Sequence, residues 1–163
     1  MRTAEEKIVT CAALAPLLEE DRRRGRKIVF ANGCFDVLHV GHIRYLEAAR
    51  NEGDILVVGV NADAGVRGLK GPGRPVLDET ARASLVAALR AVDYVVLFAE
   101  PDVEALLKML HPDVHAKGTD YTAETVPERA IADRLGIRIA IVGDPKQHST
   151  RELLESVRKG LHD

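Results

Sequence analysis

The stretch NGCFDVLHVGHIRYL, residues 32–46, joins an apolar run to a segment with helical periodicity, and the fold can be worked out from it. KIVFANG, residues 27–33, is short and apolar and ends at Asn-Gly, which predicts a buried strand. GHIRYLEAARNEGD, residues 41–54, has apolar residues at helical spacing and contains a glycine stop, which predicts a helix. In an α/β sheet, the turns from strands to the helices that follow them bind ligands.

The same alternation continues along the chain. Further strands are predicted at 55–61, 94–98, 114–118 and 137–143, and further helices at 78–93, 101–112, 124–136 and 149–160. Short apolar strands that alternate with amphipathic helices are typical of parallel βαβ units, whose strands are covered on both faces. We therefore predict an α/β fold with a Rossmann-like, doubly wound, five-stranded parallel sheet. Ligands are expected at the carboxyl ends of the strands.

Two segments complete the predicted organisation. Residues 4–24 have the character of a helix, which Pro16 is expected to kink or split. ADAGVRGLKGPGRP, residues 62–75, is rich in glycine, proline and basic residues and is expected to form a loop. A single domain over residues 1–163 is predicted, with an N-terminal helical extension at 1–25 and the core at 26–158.

Composition excludes several classes of function. The 163 residues are 46% hydrophobic and 29% charged, the balance of a globular protein. Lys and Arg total 23 against 25 Asp and Glu, so the net charge is −2 and no basic surplus is present to bind a nucleic-acid backbone. Tryptophan is absent and aromatic residues make up 4%, so base-stacking surfaces are not expected either. No nucleic-acid partner is therefore predicted.

The two cysteines, Cys11 and Cys34, have no metal-binding spacing and are expected to be free thiols in a reducing cytosol. The N-terminal residues carry charges throughout, unlike a secretory signal. No stretch approaches the roughly 20 apolar residues of a membrane span. These features together predict a soluble cytoplasmic protein.

A histidine pair is the chemically distinctive feature. His39 and His42 are three residues apart, with Gly41 between them, where the chain enters a helix. Two imidazole donors at a helix N-terminus suit the negative charge that develops on an attacked phosphate. The alternatives are a capping or core histidine, or a zinc site completed by Cys34 or Asp36. The chain has no second histidine pair and no HExxH pattern to support zinc, so no resident metal is expected.

The element His39-Val40-Gly41-His42, following NGCFD, resembles the HxGH nucleotidyltransferase superfamily, which includes cytidylyltransferases and pantetheine-phosphate adenylyltransferase. Arg90-Ala91-Val92-Asp93, at a helix end, and Ser149-Thr150, opening the last helix, are similar to elements of that family. Together with residues 59–76, 110–122 and 148–154, these elements resemble the heptose 1-phosphate adenylyltransferase branch. The resemblance covers about residues 26–158, and the chain length resembles the standalone form, with no room for a sugar kinase.

The resemblance implies that ATP and D-glycero-β-D-manno-heptose 1-phosphate react to give ADP-heptose and pyrophosphate, for the lipopolysaccharide inner core. It implies Mg²⁺ arriving with ATP, and a homodimer. A phosphate monoester is already ionised at pH 7, so neither a general base nor an enzyme nucleophile is needed.

Residue roles follow from the same resemblance. The catalytic residues would be His39, His42 and Lys70, and the substrate-binding residues Asn61, Arg74 and Arg90. The nucleotide would be bound by Gly33, Cys34, Phe35, Asp36, Lys117, Gly118, Asp120, Ser149 and Thr150.

Structural alternatives stay open for several of these residues. Asp36 is equally suited to a structural, loop-capping role. Lys70 is alternatively a solvated lysine. Arg90 is alternatively an ion-pair partner of Asp93. Ser149 and Thr150 are alternatively helix N-caps, a role compatible with contact to phosphate.

The chain departs from the cytidylyltransferase pattern before its last helix. Where those enzymes carry Arg-Thr-x-Gly-Ile-Ser-Thr-Thr, this chain has GDPKQHSTR, residues 143–151, which lacks the arginine. Lys146, His148 or Arg151 would supply the charge. The alternative activity is cytidylyl transfer to a small polyol phosphate such as glycerol 3-phosphate, and a non-catalytic nucleotide-binding regulator is a rival from another class. A Rossmann dehydrogenase is disfavoured because GxGxxG is absent.

Overall fold

The computed structural model describes residues 2–145 and 149–160. Within these ranges the chain forms one five-stranded sheet in the order β3-β2-β1-β4-β5, and all neighbouring strands are parallel. The strands are β1 Ile28–Gly33, β2 Ile55–Asn61, β3 Tyr94–Phe98, β4 Val114–Gly118 and β5 Arg138–Val142. The predicted strands are confirmed, each to within one residue at either end.

Helices connect the strands and cover both faces of the sheet. They are α1 Ala4–Lys7, α2 Cys11–Arg23, α3 Val40–Arg50, α4 Asp63–Lys70, α5 Glu79–Ala88, α6 Glu104–Leu110, α7 Arg129–Leu135 and α8 Thr150–Gly160. None of the described helices is both long and apolar enough to cross a membrane.

The core has two layers, one on each face of the sheet. On one face Leu46 of α3 and Val86 of α5 are fully buried. On the other face Leu14 and Leu18 of α2 pack with Leu107 of α6. Every residue of β2 is buried, which explains its uninterrupted apolar sequence. The doubly wound α/β fold is therefore confirmed.

The strand order places the site. After β1 the chain moves outward through β2 and β3, and it then returns to add β4 on the other side of β1. The direction of winding thus reverses between β1 and β4. In such sheets the loops at the carboxyl ends diverge at the reversal point and leave a crevice for ligands. The loop that carries the histidine pair follows β1 directly.

The helix predicted over residues 4–24 is broken at a different place. Pro16 lies inside α2 and does not split it. The break comes at Ile8, which forms a parallel bridge to Val95 of β3. Two separate N-caps, Thr3 and Thr10, begin α1 and α2. The β-bridge and these caps therefore determine where the chain leaves the helical path.

The prediction of a loop over residues 62–75 is wrong for its first half, because Asp63–Lys70 forms helix α4. Gly65 and Gly68 lower the intrinsic helix propensity of this segment. Val66, which is fully buried, packs the helix onto the rest of the molecule. Burial of one apolar face here outweighs the cost of the two glycines.

Candidate active site

The two histidines form a stacked pair at the start of α3. His39 is the N-cap, and its Nδ1 accepts a hydrogen bond from the Gly41 N–H at 3.1 Å. The His42 Nδ1 accepts from the His39 N–H at 3.4 Å. The ring centroids are 3.9 Å apart with an interplanar angle of 26°. Because each Nδ1 is an acceptor, each neutral ring carries its proton on Nε2, which is therefore a donor.

The residues between β1 and α3 adopt a tight, strained path. Phe35 and Val37 have positive φ angles of 50° and 58°, a conformation that is costly for such residues and concentrates at functional sites. The buried Phe35 ring meets the His42 ring edge-on, with centroids 5.4 Å apart. A Cβ at Gly33 would lie 3.1 Å from the Phe35 ring. Gly33 therefore allows Phe35 to pack beneath the histidine pair.

Asp36 holds the segment that follows α4 against this loop. Its carboxylate accepts from Arg74 Nε at 2.7 Å and from the N–H groups of Val76 and Leu77 at 2.9–3.1 Å. Burial raises the pKa of Asp36, but these hydrogen bonds outweigh burial and keep the pKa below its usual value. Asp36 thus has the loop-capping role, and its partner Arg74 is part of the same clasp.

Arg82, on α5, is a site residue that sequence reasoning missed. It is completely buried and donates to Leu77 O at 3.0 Å, Cys34 O at 2.6 Å and Asp63 Oδ1 at 2.8 Å. It therefore joins α4 and α5 to the loop after β1. The available signal was an arginine within the apolar stripe that α5 turns to the core.

The start of α8 lies against the histidine loop. Thr150 Oγ1 donates to Asp36 O at 2.9 Å. Ser149 Oγ accepts from the Glu152 N–H at 3.1 Å, while the Glu152 carboxylate accepts from the Ser149 N–H at 3.0 Å. This is a reciprocal capping box. A cleft of about 270 Å³ remains between the two segments, lined by His39, Val40, Ser149, Glu152, Leu153 and Ser156.

Lys70 is the exposed last residue of α4. Burial raises the pKa of the Cys34 thiol, and the ammonium of Lys70 and the guanidinium groups of Arg82 and Arg74 partly oppose that rise. These cations therefore act on the loop after β1. Lys70 thus lies close enough to Cys34 for its charge to act there, although on a helix and not in the expected loop.

A buried ion pair lies at the carboxyl end of β4. Lys117 Nζ is 3.3 Å from Glu128 Oε2 and 4.8 Å from the centroid of the Tyr121 ring. Both charged residues are less than one-tenth exposed. Gly118 ends the strand and Asp120 lies in the exposed turn beyond it. No sequence pattern singles out Glu128, because an acidic residue near a helix start is ordinary.

Asn61 lies at the carboxyl ends of the strands, and Arg90 lies at their amino ends. Asn61 is the last residue of β2, is 7% exposed, and has its Oδ1 3.9 Å from Cys34 Sγ. Arg90 is exposed and lies between the end of α5 and the start of β3, at the amino edge. The structure therefore does not bring Arg90 to the histidine pair. The expected Arg90–Asp93 pair does not form either, since Asp93 binds Leu56 N and Arg50.

Of the three residues expected to replace the missing arginine, Arg151 lies within the described residues. Lys146 and His148 lie outside the described residues. Arg151 is exposed and forms a 3.0 Å ion pair with Glu155 along α8. Among residues 2–145 and 149–160, no group of three or more His, Cys, Asp or Glu is arranged to hold a metal ion.

A buried histidine supports the crevice from within the sheet. His115, in β4, is fully buried, and its Nε2 lies 3.0 Å from Asn32 Oδ1 at the end of β1. Burial, with a smaller contribution from the Lys117 charge, lowers the pKa of His115 to about 3. Its ring is therefore neutral, and since Asn32 Oδ1 accepts, Nε2 carries the proton. No hydrogen-bond partner is seen for Nδ1 within the described part of the chain.

The parallel sheet and the paired histidines at the helix after β1 define the nucleotidyltransferase class of Rossmann-like folds. The cytidylyltransferase-like family model matches residues 30–154, and the chain belongs to that family.

Curated relatives agree with this assignment. The chain is 45% identical to the bifunctional protein HldE of Syntrophotalea carbinolica over 94% of its own length and 31% of the relative's. It is 45% identical to the protein of that name from Geotalea uraniireducens, over 96% of the chain and 32% of the relative. The chain therefore spans about a third of the length of the curated relatives it matches.

A solved structure is also similar. The crystal structure of the lipopolysaccharide core biosynthesis protein from Thermoplasma volcanium matches with a TM-score of 0.65 at 30% identity. The match covers 75% of this chain and all of the other.

Proposed function

We propose that the protein transfers AMP from ATP to a sugar 1-phosphate, D-glycero-β-D-manno-heptose 1-phosphate, and releases pyrophosphate. The observation that carries the proposal is the stacked pair of His39 and His42, of which His39 lines a cleft that it shares with the start of α8. The similarity to HldE proteins and to a lipopolysaccharide core biosynthesis protein supports the heptose acceptor.

The triphosphate is proposed to bind in the cleft between the histidine loop and α8. The N-terminus of α3 offers the positive end of the helix dipole. The start of α8, where Ser149 and Glu152 cap the helix, forms the opposite wall of the cleft. The two histidine side chains would donate to phosphate oxygens as negative charge grows on them in the transition state.

The reaction is a single in-line displacement. A phosphate oxygen of the sugar phosphate attacks the α-phosphorus of ATP, forming the new P–O bond. The bond from the α-phosphorus to the bridging oxygen of the β-phosphate breaks, and pyrophosphate leaves with the electron pair. No proton has to be removed from the nucleophile, so the histidines act by position and hydrogen-bond donation.

Mg²⁺ is proposed to enter bound to ATP, as part of the substrate. The described residues hold no acidic cluster to cage the ion, whereas triphosphate oxygens bind Mg²⁺ readily. Lys70 would then lie between the triphosphate and the incoming sugar phosphate and offset their mutual repulsion. Turnover should therefore stop in EDTA and return when Mg²⁺ is added.

The nucleotide's base and ribose are proposed to lie over Gly33, Cys34 and Phe35 and against Lys117, Gly118 and Asp120. Asn61 is proposed to bind the acceptor. Arg74, which donates to Asp36, is proposed to shape the part of the site that binds the acceptor.

The test is a panel of four nucleoside triphosphates against heptose 1-phosphate, other sugar phosphates and glycerol 3-phosphate, read by pyrophosphate release. We expect the highest kcat/KM with ATP and heptose 1-phosphate. The His42→Ala variant is the negative control. His111→Asn, at an exposed position at the end of α6, is the matched variant that should keep full activity. A preference for CTP and glycerol 3-phosphate would replace this proposal with the cytidylyltransferase alternative.

A cytoplasmic homodimer that acts on small molecules and binds no nucleic acid completes the proposal. The supply of ATP and the free thiols Cys11 and Cys34 support the compartment. Sedimentation equilibrium should give twice the 17.8 kDa mass of one chain. Gel-shift titration with DNA and RNA should show no binding at physiological salt.

A further inference from the structure

A second, open groove lies beside the histidine site, between α4 and the residues that follow β3. Its volume is about 320 Å³, and its lining is Asn61, Ala64, Gly65, Gly68, Leu69, Ala99, Glu100 and Pro101. It adjoins the histidine loop through the 3.9 Å contact between Asn61 Oδ1 and Cys34 Sγ. The mechanism described above makes no use of its α4 wall.

Two glycines on α4 leave this groove open. Gly65 and Gly68 are three residues apart, so they lie on one face of the helix. A Cβ built on Gly68 would meet no atom within 4 Å, and one on Gly65 would meet only Asn61, at 3.6 Å. Neither glycine is therefore required by packing or by a positive φ, although each costs helix stability relative to alanine. The lack of a side chain at Gly65 and Gly68 leaves the groove open.

The Asn61 amide faces this space. A Cβ on Gly65 would lie 3.6 Å from Asn61 Nδ2, so that nitrogen is directed toward the glycine face. Asn61 is more than nine-tenths buried. In the described part of the chain the only hydrogen bond of its side chain is the long one that Oδ1 accepts from Cys34. The amide N–H groups are therefore available to donate to a hydroxyl oxygen bound in the groove.

The opposite wall of the groove is polar at one point and apolar elsewhere. The carboxylate of Glu100 is fixed by the Ala99 N–H, which donates to it at 3.0 Å. Carboxylates accept hydrogen bonds from hydroxyls, but they repel phosphate. Pro101 supplies apolar surface on this wall, and Leu69 supplies it on the α4 wall. The groove therefore suits an uncharged polyhydroxylated group.

We infer that this groove binds the sugar of the acceptor phosphate, and that the absent side chain at Gly68 sets the size of sugar the protein accepts. The inference rests on the proposed function and extends it to a second set of residues. Asn61 donates to a sugar hydroxyl, Glu100 accepts from another, and the α4 glycines make room for the ring.

The experiment fills the groove with one side chain. Gly68→Leu places the new side chain in open space, so the fold is preserved and α4 gains helix propensity. We expect kcat/KM for heptose 1-phosphate to fall at least about tenfold, which corresponds to about 1.4 kcal/mol. The Kd of ATP, measured by titration calorimetry, should stay within twofold. Gly68→Ala should give an intermediate loss.

The matched control is Ala88→Leu, which adds a leucine at the exposed end of α5 on the other edge of the sheet. It should behave as wild type. Activity with glycerol 3-phosphate, where the wild type shows any, should be reduced less by Gly68→Leu than activity with the sugar. A loss of equal size on both acceptors would overturn the size-setting role.

Failure of this inference and failure of the proposed function give different results. Wild-type turnover of a sugar phosphate with unchanged kinetics in Gly68→Leu overturns the groove alone. A wild-type protein that turns over no sugar phosphate overturns the proposed function. In that case calorimetric binding of heptose 1-phosphate tests the role of the groove. If the sugar phosphate does not bind, or binds wild type and Gly68→Leu equally well, that role is overturned too.

Discussion

The hydroxyl of Thr150 donates to the backbone carbonyl of Asp36 across 2.9 Å. This bond joins the first turn of α8 to the loop that carries His39. The described part of α8 buries no side chain, so the helix depends on few contacts for its position. The bond therefore sets the width of the cleft between the two helix N-termini.

Replacing Thr150 with valine keeps the shape of the side chain and removes this bond. We expect the KM for ATP to rise about fivefold, in line with about 1 kcal/mol for one hydrogen bond, with little change in unfolding free energy. Thr150→Ser keeps the hydroxyl and should remain close to wild type. Steady-state kinetics on both variants, with urea unfolding, is the measurement. Equal kinetics in the serine and valine variants would show that the bond does not position α8.

Removing either imidazole should impair chemistry more than binding. His39→Ala and His42→Ala should each lower kcat at least ~100-fold, the scale for loss of one transition-state donor. The effect on the Kd of ATP should be smaller, because the positive end of the α3 helix dipole remains. Single-turnover pyrophosphate release and calorimetry separate the two quantities. Near-normal kcat in a folded His42→Ala protein would remove the basis of the proposed mechanism.

Lys70→Ala should depress kcat/KM for the sugar phosphate about 100-fold and weaken ATP binding only a few-fold. The reason is that its charge is needed when two anions meet. Lys70→Arg should recover only part of the activity, since a planar guanidinium does not replace a compact ammonium. Arg67→Ala, one turn earlier on α4 and also exposed, is the control. Complete loss of ATP binding in Lys70→Ala would make the lysine a nucleotide anchor instead.

Asp36→Asn should destabilise the protein and reduce its activity together. The change removes the charge that Arg74 faces and weakens the bonds from Val76 and Leu77. We expect a loss of about 1–3 kcal/mol in unfolding free energy. Asp133→Asn breaks an exposed α7 pair with Arg129 and should cost only ~0.3–0.5 kcal/mol. Similar losses in the two variants, measured by urea unfolding, would contradict the proposed clasp.

The buried His115 should make stability depend on pH. Its folded pKa of about 3 lies below the unfolded value of about 6.5. The unfolded chain therefore binds the extra proton between these values, and stability falls as pH falls from about 6.5 toward 3. The contribution of His115 to the slope of unfolding free energy against pH approaches about 1.4 kcal/mol per pH unit.

Urea unfolding at half-unit steps from pH 4.5 to 7 measures this slope. His115→Leu should flatten it, whereas His111→Asn, at an exposed site, should leave it unchanged. An unaltered slope in His115→Leu would assign the acid sensitivity to other groups.

The strands could be predicted from the sequence because both faces of the sheet are covered, so each strand is a continuous apolar run between polar turns. Helix α4 could not, because its glycines oppose a helix and its support comes from the burial of Val66. The break in the predicted helix 4–24 comes at Ile8 and not at Pro16 for a similar reason. The Ile8–Val95 bridge joins positions 87 residues apart, and local sequence contains no trace of it.

At the site, the sequence could predict that the histidine pair, Asp36 and Lys70 follow β1 and β2, because their spacing and the resemblance place them there; their roles stay predictions. Arg82 and Glu128 act through partners that only the folded chain brings near. The position of Arg90 at the amino ends of the strands could not be predicted, because matching a helix end does not tell which end of the sheet it faces. His115 left a usable signal, since it is a polar residue inside the apolar run of β4.

The contact between His115 and Asn32 also gives the molecule a built-in spectroscopic probe. An imidazole that stays neutral at every pH used for assays has ring-proton resonances free of any titration of their own. Its hydrogen bond ends on a side chain at the mouth of the crevice. A nucleotide that engages Asn32 must perturb that bond, and the His115 resonances would then report occupancy without an introduced label.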